Sequence, residues 1–159
     1  MKRPTYVTDK ALKQFIKSAL EEDIQSGDHS TLSTIPADLV QSAKLLVKED
    51  CILAGVELAE IIFKTFDKNL KIEVFIKDGE NAKVGDIAFI VTGKAQSILS
   101  TERLVLNCMQ RMSGIATLTH DWDSRLIGTK TKLLDTRKTT PNFRICEKWA
   151  VAIGGGTNH

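Results

Sequence analysis

The segment Asp135-Thr136-Arg137-Lys138-Thr139-Thr140-Pro141 gathers two cations, three hydroxyls and several backbone amides within seven residues, directly after the short apolar run that begins at Lys132. If that run is a buried strand, the cluster sits at its C-terminal end, where ligands bind in α/β sheets. Arg137 offers a planar fork suited to a carboxylate or phosphate, and Lys138 adds a compact charge beside it. The same residues also describe a solvated loop with two surface cations. Gly154-Gly155-Gly156-Thr157-Asn158-His159 is a second candidate. Its glycines would let the backbone approach a ligand closely, and His159 could donate a hydrogen bond or carry a proton. A triple glycine is equally a flexible loop. Arg103, beside Glu102 in a predicted helix, reads alone as a solvated cation or half of a local ion pair. His29 and His120 have no evident partners and read as structural.

Composition narrows the chemistry. With 42% apolar and 26% charged residues in 159, a packed core should form. A formal net charge of +2 makes no field strong enough to argue for nucleic acid or an anionic membrane surface, so an anion site must be a local cluster. Cys51, Cys108 and Cys146 are odd in number and widely spaced, against a disulfide framework or a zinc site, and a reducing cytoplasm fits best. Met1 to Lys10 has basic residues with no apolar run behind them, and no window approaches 18 apolar residues. The expectation is a protein neither secreted nor membrane-bound.

Elements must position these residues. Thr8 can cap a helix with Ala11, Leu12, Phe15, Ile16, Ala19 and Leu20 on one face, ending in Glu21 to Asp28. Ala43 to Lys48 reads as a strand and Val56 to Phe66 as a second amphipathic helix. Leu70, Ile72, Val74 and Ile76 then alternate with Lys71, Glu73, Phe75 and Lys77, predicting a half-buried strand entering a hairpin-like turn at Asp78-Gly79. Val84-Gly85-Asp86 makes another turn before the apolar Ile87 to Val91. A long helix from Ala95 to about Leu126 is predicted to break near Ser113-Gly114. A strand over Lys132 to Asp135 and a helix over Phe143 to Ala152 follow. The order implies an α+β sandwich domain over 1–111, an antiparallel sheet with helices, and over 112–159 the start of an α/β barrel-like domain.

The string Asp78-Gly79, Val84-Gly85-Asp86, Val91-Thr92-Gly93, Ile98-Leu99, Glu102-Arg103, Leu106-Asn107, Ser113-Gly114-Ile115-Ala116-Thr117, Asp135 to Pro141, Glu147-Lys148 and Gly154-Gly155 resembles the quinolinate phosphoribosyltransferase (decarboxylating) family, or nicotinate-nucleotide pyrophosphorylases. The resemblance runs in order over essentially the whole chain, and the segments around Arg103 and Arg137 are its specific parts. It implies transfer of phosphoribose from phosphoribosyl pyrophosphate, with Mg²⁺, to quinolinate, with release of pyrophosphate and CO2 and formation of nicotinate mononucleotide in NAD biosynthesis. Arg137, Lys138 and His159, with Thr136 beside them, would bind the carboxylates of quinolinate. Arg103 would reach into the partner's site of a homodimer. Such chemistry calls for paired cations more than for a nucleophile, and no Ser-His-Asp or Cys-His arrangement is evident.

The family pattern continues past the histidine with an arginine, a lysine, acidic residues serving ribose and metal, and a phosphate-binding loop. These have no counterpart in the 159 residues. A truncated barrel inactive alone, with metal ligands beyond residue 159, is therefore implied, as is disorder or unusual packing over Phe143 to Ile153. Alternatives are a nicotinate phosphoribosyltransferase, the molybdenum-transport-associated paralogue or, from another class, a biotinyl or lipoyl carrier module, whose Met-Lys pair is missing from the hairpin region.

Overall fold

A computed structural model describes residues 3–159. Helix α1 (Asp9–Ile24) opens on the expected cap, the Thr8 hydroxyl accepting from Ala11 N at 3.2 Å, and buries Leu12 and Ile16. A short helix α2 (His29–Thr34), not foreseen, follows because the Asp28 carboxylate accepts from Thr31 N at 3.1 Å. Strand β1 (Val40–Leu46) begins three residues earlier than expected. β2 (Cys51–Ile52) leads into α3 (Val56–Phe66), which has the predicted bounds. β3 (Lys71–Val74), β4 (Asn81–Ala82), β5 (Ile87–Lys94), α4 (Ala95–Ser124) and α5 (Arg144–Ile153) complete the order.

The strands form an antiparallel sheet ordered β1-β5-β3 and a two-stranded antiparallel ladder of β2 with β4. β3 therefore does not pair across the Asp78-Gly79 turn, as a hairpin would require. Asp78 instead accepts from Val56 N (2.8 Å) and Glu57 N (3.0 Å), which caps α3, where Gly55 offers no side chain. That role, and a β4 of only two residues, leave no hairpin tip to present a carrier lysine.

The predicted break in α4 is absent. Ser113 turns its hydroxyl sideways, accepting from Ala54 N (3.0 Å) and donating to Ala54 O (3.2 Å), while Gly114 lies exposed, with no other segment within 4 Å of where a Cβ would stand. Neither residue interrupts the helical ladder, so α4 runs unbroken beneath both ends of the chain. One core joins α1, α3, β5 and α4 to Cys146, Trp149, Ala150 and Ile153 of α5.

The segment expected to show disorder or unusual packing, Phe143 to Ile153, contains this helix. Its cover comes from the chain's own N-terminus: the Arg3 guanidinium lies 5.8 Å above the Trp149 ring, the Tyr6 hydroxyl donates to Lys148 O at 3.0 Å, and Phe15 meets Phe143 edge-on at 5.7 Å. Apolar surface does remain open at the far end of α4 and beyond, at Leu118, Trp122, Ile127 and Leu134. The strand predicted at Lys132 to Asp135 is reduced to a single parallel bridge, Leu134 with Thr157, because no ladder flanks it.

Candidate functional site

The bridge decides where the candidate residues lie. Asp135 N donates to Thr157 O at 2.9 Å and Thr157 N donates to Leu133 O at 2.8 Å, so the start of the 135–141 loop is stitched to the residues just before His159. Two segments that the sequence offered separately thus become one site. Gly154 and Gly155 bring the second segment there by close packing against α4. A Cβ on Gly154 would stand against the Ala116 carbonyl oxygen and 2.7 Å from Thr119 Cβ, and Gly155 has φ +101°.

Asp135 is the hub. Its carboxylate is 2% exposed and takes Lys148 Nζ at 2.7 Å, His159 Nδ1 at 2.8 Å and His159 N at 3.1 Å on Oδ1, with Asn158 Nδ2 at 3.0 Å on Oδ2. Burial alone would push this carboxyl up; the bonds from Lys148 and His159 outweigh it and hold the group at about 2.

A second anchor fixes the far end of the loop. Glu147, with its side chain 10% exposed, accepts from Thr140 N (3.1 Å), Thr140 Oγ1 (2.9 Å) and Arg111 Nη2 (2.8 Å). Burial pushes its carboxyl up, but Arg111 and Thr140 bring it below its ordinary value. Between the anchors, Arg144 donates to Thr139 Oγ1 at 2.9 Å and to Arg137 O at 3.2 Å, and Lys138 N donates to Thr136 Oγ1 at 3.1 Å. Thr136 thereby serves the turn itself. The side chains of Arg137 and Lys138 are exposed and make no bond among the described residues. Five cations (Arg111, Arg137, Lys138, Arg144, Lys148) stand here against two carboxylates, both already engaged, so positive charge is left over for an anion.

Arg103 lies elsewhere. It sits on α4 eight residues before Arg111, about 12 Å along the axis, and pairs with Asp23 of α1 at 2.6 Å. Its ion pair is therefore not the local one its own helix suggested. Its side chain is still 70% exposed. A cleft of about 960 Å³ between α1 and α4 is lined by Asp23 and Arg111, by Thr140 of the loop and by Arg144 at the start of α5. His120 is exposed, and His29 meets Ser26 Oγ at 3.1 Å.

Arg111, Arg144, Glu147 and Lys148 were not singled out as site residues from their own surroundings. Glu147 and Lys148 entered only as part of the string that carries the family resemblance, with no role assigned; their partners lie too far away in sequence. Cys108 and Cys146 are buried, and burial pushes Cys108 up to about 12 and Cys146 higher still, so neither is an activated nucleophile. No helix among the described residues is long and apolar enough to cross a membrane.

Residues 28–113 match the family model described as the quinolinate phosphoribosyl transferase N-terminal domain, and residues 115–159 match that of the C-terminal domain. The mitochondrial decarboxylating quinolinate phosphoribosyltransferase 2b of Nicotiana tabacum is 46% identical over 157 residues, 98% of this chain and 43% of its own length. A nicotinate-nucleotide pyrophosphorylase of Mycobacterium leprae is 37% identical over 152 residues, 94% of this chain and 54% of its own. Among solved structures, NadC from Streptococcus pyogenes superposes with a TM-score of 0.90 at 37% identity, over 96% of this chain and 54% of that one. Human nicotinic acid phosphoribosyltransferase, at 13% identity and a TM-score of 0.62 over 91% of this chain and 35% of that one, shares the fold alone. This chain spans about half, or less, of the length of each of these proteins, and within that span it belongs to the quinolinate phosphoribosyl transferase family.

Proposed function

We propose that the chain carries the dicarboxylate-binding part of an enzyme that transfers phosphoribose to quinolinate with loss of CO2, giving nicotinate mononucleotide and pyrophosphate. The observation that carries this reading is the contrast between the loop's backbone and its side chains. Asp135, Thr140 and the Arg137 carbonyl are each tied down, while the side chains of Arg137 and Lys138 are exposed and unpaired among the described residues. Preorganised cations of this kind suit two carboxylates on a flat ring, with His159 as a third contact and Thr136 shaping the turn. Holding the ring in place would align its nitrogen with the sugar carbon.

Arg103, exposed beyond its Asp23 contact, would serve the site of a second copy in a homodimer. A division of the chain near residue 112 goes with this reading, α4 being shared by the sandwich domain and the first βα unit of the barrel. The three free thiols suit a reducing compartment such as the cytoplasm. Mg²⁺ would accompany phosphoribosyl pyrophosphate and neutralise its charge. The residues present do not fit the ion, since Asp135 and Glu147 are both engaged by cations and amides and offer no open oxygen pair. Its ligands would lie in the part of the relatives that this chain does not span.

Calorimetric titration tests the binding half of this reading. Quinolinate is expected to bind the 159-residue chain more tightly than nicotinate, and Arg137→Ala to weaken it by about tenfold or more, the loss of one charge-assisted contact. Equal binding of both ligands would favour a nicotinate enzyme. Binding of neither, or a silent Arg137→Ala, would overturn the assignment of the carboxylate site to these residues. Because the chain spans only part of its relatives, we also expect no nicotinate mononucleotide when it is incubated alone with quinolinate, phosphoribosyl pyrophosphate and Mg²⁺. Product detected by chromatography would count against that expectation.

A further inference from the structure

We infer that Asp135 is a positioning residue for His159, gripping the imidazole through Nδ1 so that Nε2 is the nitrogen left to meet a carboxylate. The inference rests on the quinolinate reading for its ligand, but its geometry stands on the cluster alone.

The donors around Asp135 determine the ring's state. An ionised carboxylate only accepts, and Oδ1 lies 2.8 Å from Nδ1. A lone pair on Nδ1 would face another lone pair at that distance, so Nδ1 must carry a hydrogen. Lys148 Nζ, 3.4 Å from Nδ1, has no acceptor to offer and therefore makes no bond with it. The two are donors converging on one oxygen, with Lys148 at 2.7 Å from Oδ1. The backbone closes the arrangement from both ends, because Asp135 N is bonded to Thr157 O and His159 N to Oδ1. Both the tautomer and the ring's anchor are set by one buried carboxylate, whose Oδ1 already takes three donors.

Nε2 makes no bond among the described residues, and the side chain is 42% exposed. When the ring carries both protons, Nε2–H is a donor to a carboxylate oxygen. Lys148 has the complementary role: it prevents Oδ1 from being satisfied by the ring alone, and its own backbone carbonyl is held by Tyr6.

Long-range ¹H–¹⁵N correlation spectra test the inference on the folded chain, which has three histidines. At a pH where the rings are neutral, His159 is expected to show the Nδ1–H tautomer, whereas exposed His120 shows the mixture of an unrestrained imidazole. In Asp135→Ala, His159 is expected to revert to that mixture and quinolinate affinity to fall about tenfold. If that variant does not fold, Asp135→Asn is used. Its single amide oxygen must serve both Lys148 and the ring, so the tautomer preference is expected to weaken. A His159 already Nε2–H in the native chain, or unchanged in the variants, overturns the inference. A native chain that shows the Nδ1–H tautomer but binds neither quinolinate nor nicotinate leaves the positioning intact and sinks the carboxylate reading.

Discussion

Gly154→Ala is expected to lower the stability of the chain by about 2–3 kcal/mol, and Gly114→Ala to raise it by about 0.5–1 kcal/mol. The same substitution has opposite signs because the two glycines are kept for different reasons. At Gly154 the added methyl would collide with the Ala116 carbonyl oxygen and lie 2.7 Å from Thr119 Cβ. The carbonyl is backbone within α4 and cannot rotate away, so α5 and its following loop must lift. That movement opens the packing of Cys146, Trp149, Ala150 and Ile153 and strains the Leu134–Thr157 bridge. At Gly114 nothing lies within 4 Å of the new methyl, and the residue is exposed in the middle of a 30-residue helix. Alanine there only removes the excess backbone freedom of glycine from the unfolded chain. Thermal melts should separate the variants by roughly 10 °C, Gly154→Ala below and Gly114→Ala above the native chain. A native-like melt for Gly154→Ala would mean that α5 is not pressed against α4 as described.

This pair also marks what the sequence could say. Local signals were legible: Thr8 caps α1, the apolar stripe of Val56 to Phe66 is α3, and Ile87 to Val91 is the central strand of the sheet. Each depends on periodicity or on a contact within one turn. The residues Arg137, Lys138 and His159 were legible as a cluster of charge and flexibility, but not the scaffold that joins them. Asp135 reaches His159 across 24 positions and Glu147 reaches Arg111 across 36, and no spacing rule connects such pairs. Asp78 shows the same limit from the other side. Its Asp-Gly dipeptide has the chemistry of a hairpin turn, yet the carboxylate caps a helix 22 residues earlier in the chain. Ser113-Gly114 misled for a related reason, since a serine that finds an acceptor on another segment need not disturb its own helix. Long-range partners decided these departures from expectation, whereas the unforeseen α2 rests on a local cap, Asp28 accepting from Thr31 N.

Acid provides the sharpest test of the Asp135 hub. The carboxyl has an ordinary value of 3.8 and is held at about 2 in the folded chain. A carboxyl depressed by folding stabilises the protein above its unfolded value, and that stabilisation disappears as pH falls toward the folded one. Between pH 6 and pH 2 the native chain should therefore lose about 2 kcal/mol from this group, about half of it by pH 3. Other carboxyls titrate in the same window. Glu147 and Asp67 act in the same direction, while Asp78, pushed up by burial, acts in the opposite one. The comparison that isolates Asp135 is urea unfolding of the native chain beside Asp135→Asn across this range. Asp135→Asn is less stable near neutrality, because Lys148, with a side chain only 12% exposed, loses the charge it faces. As pH falls the native carboxyl takes up a proton and comes to resemble the amide, so the gap between the two curves must narrow by about 2 kcal/mol from pH 6 to pH 2. A gap that stays constant would mean that Asp135 is not ionised against Lys148 and His159. The ring would then no longer be obliged to turn Nδ1 toward it.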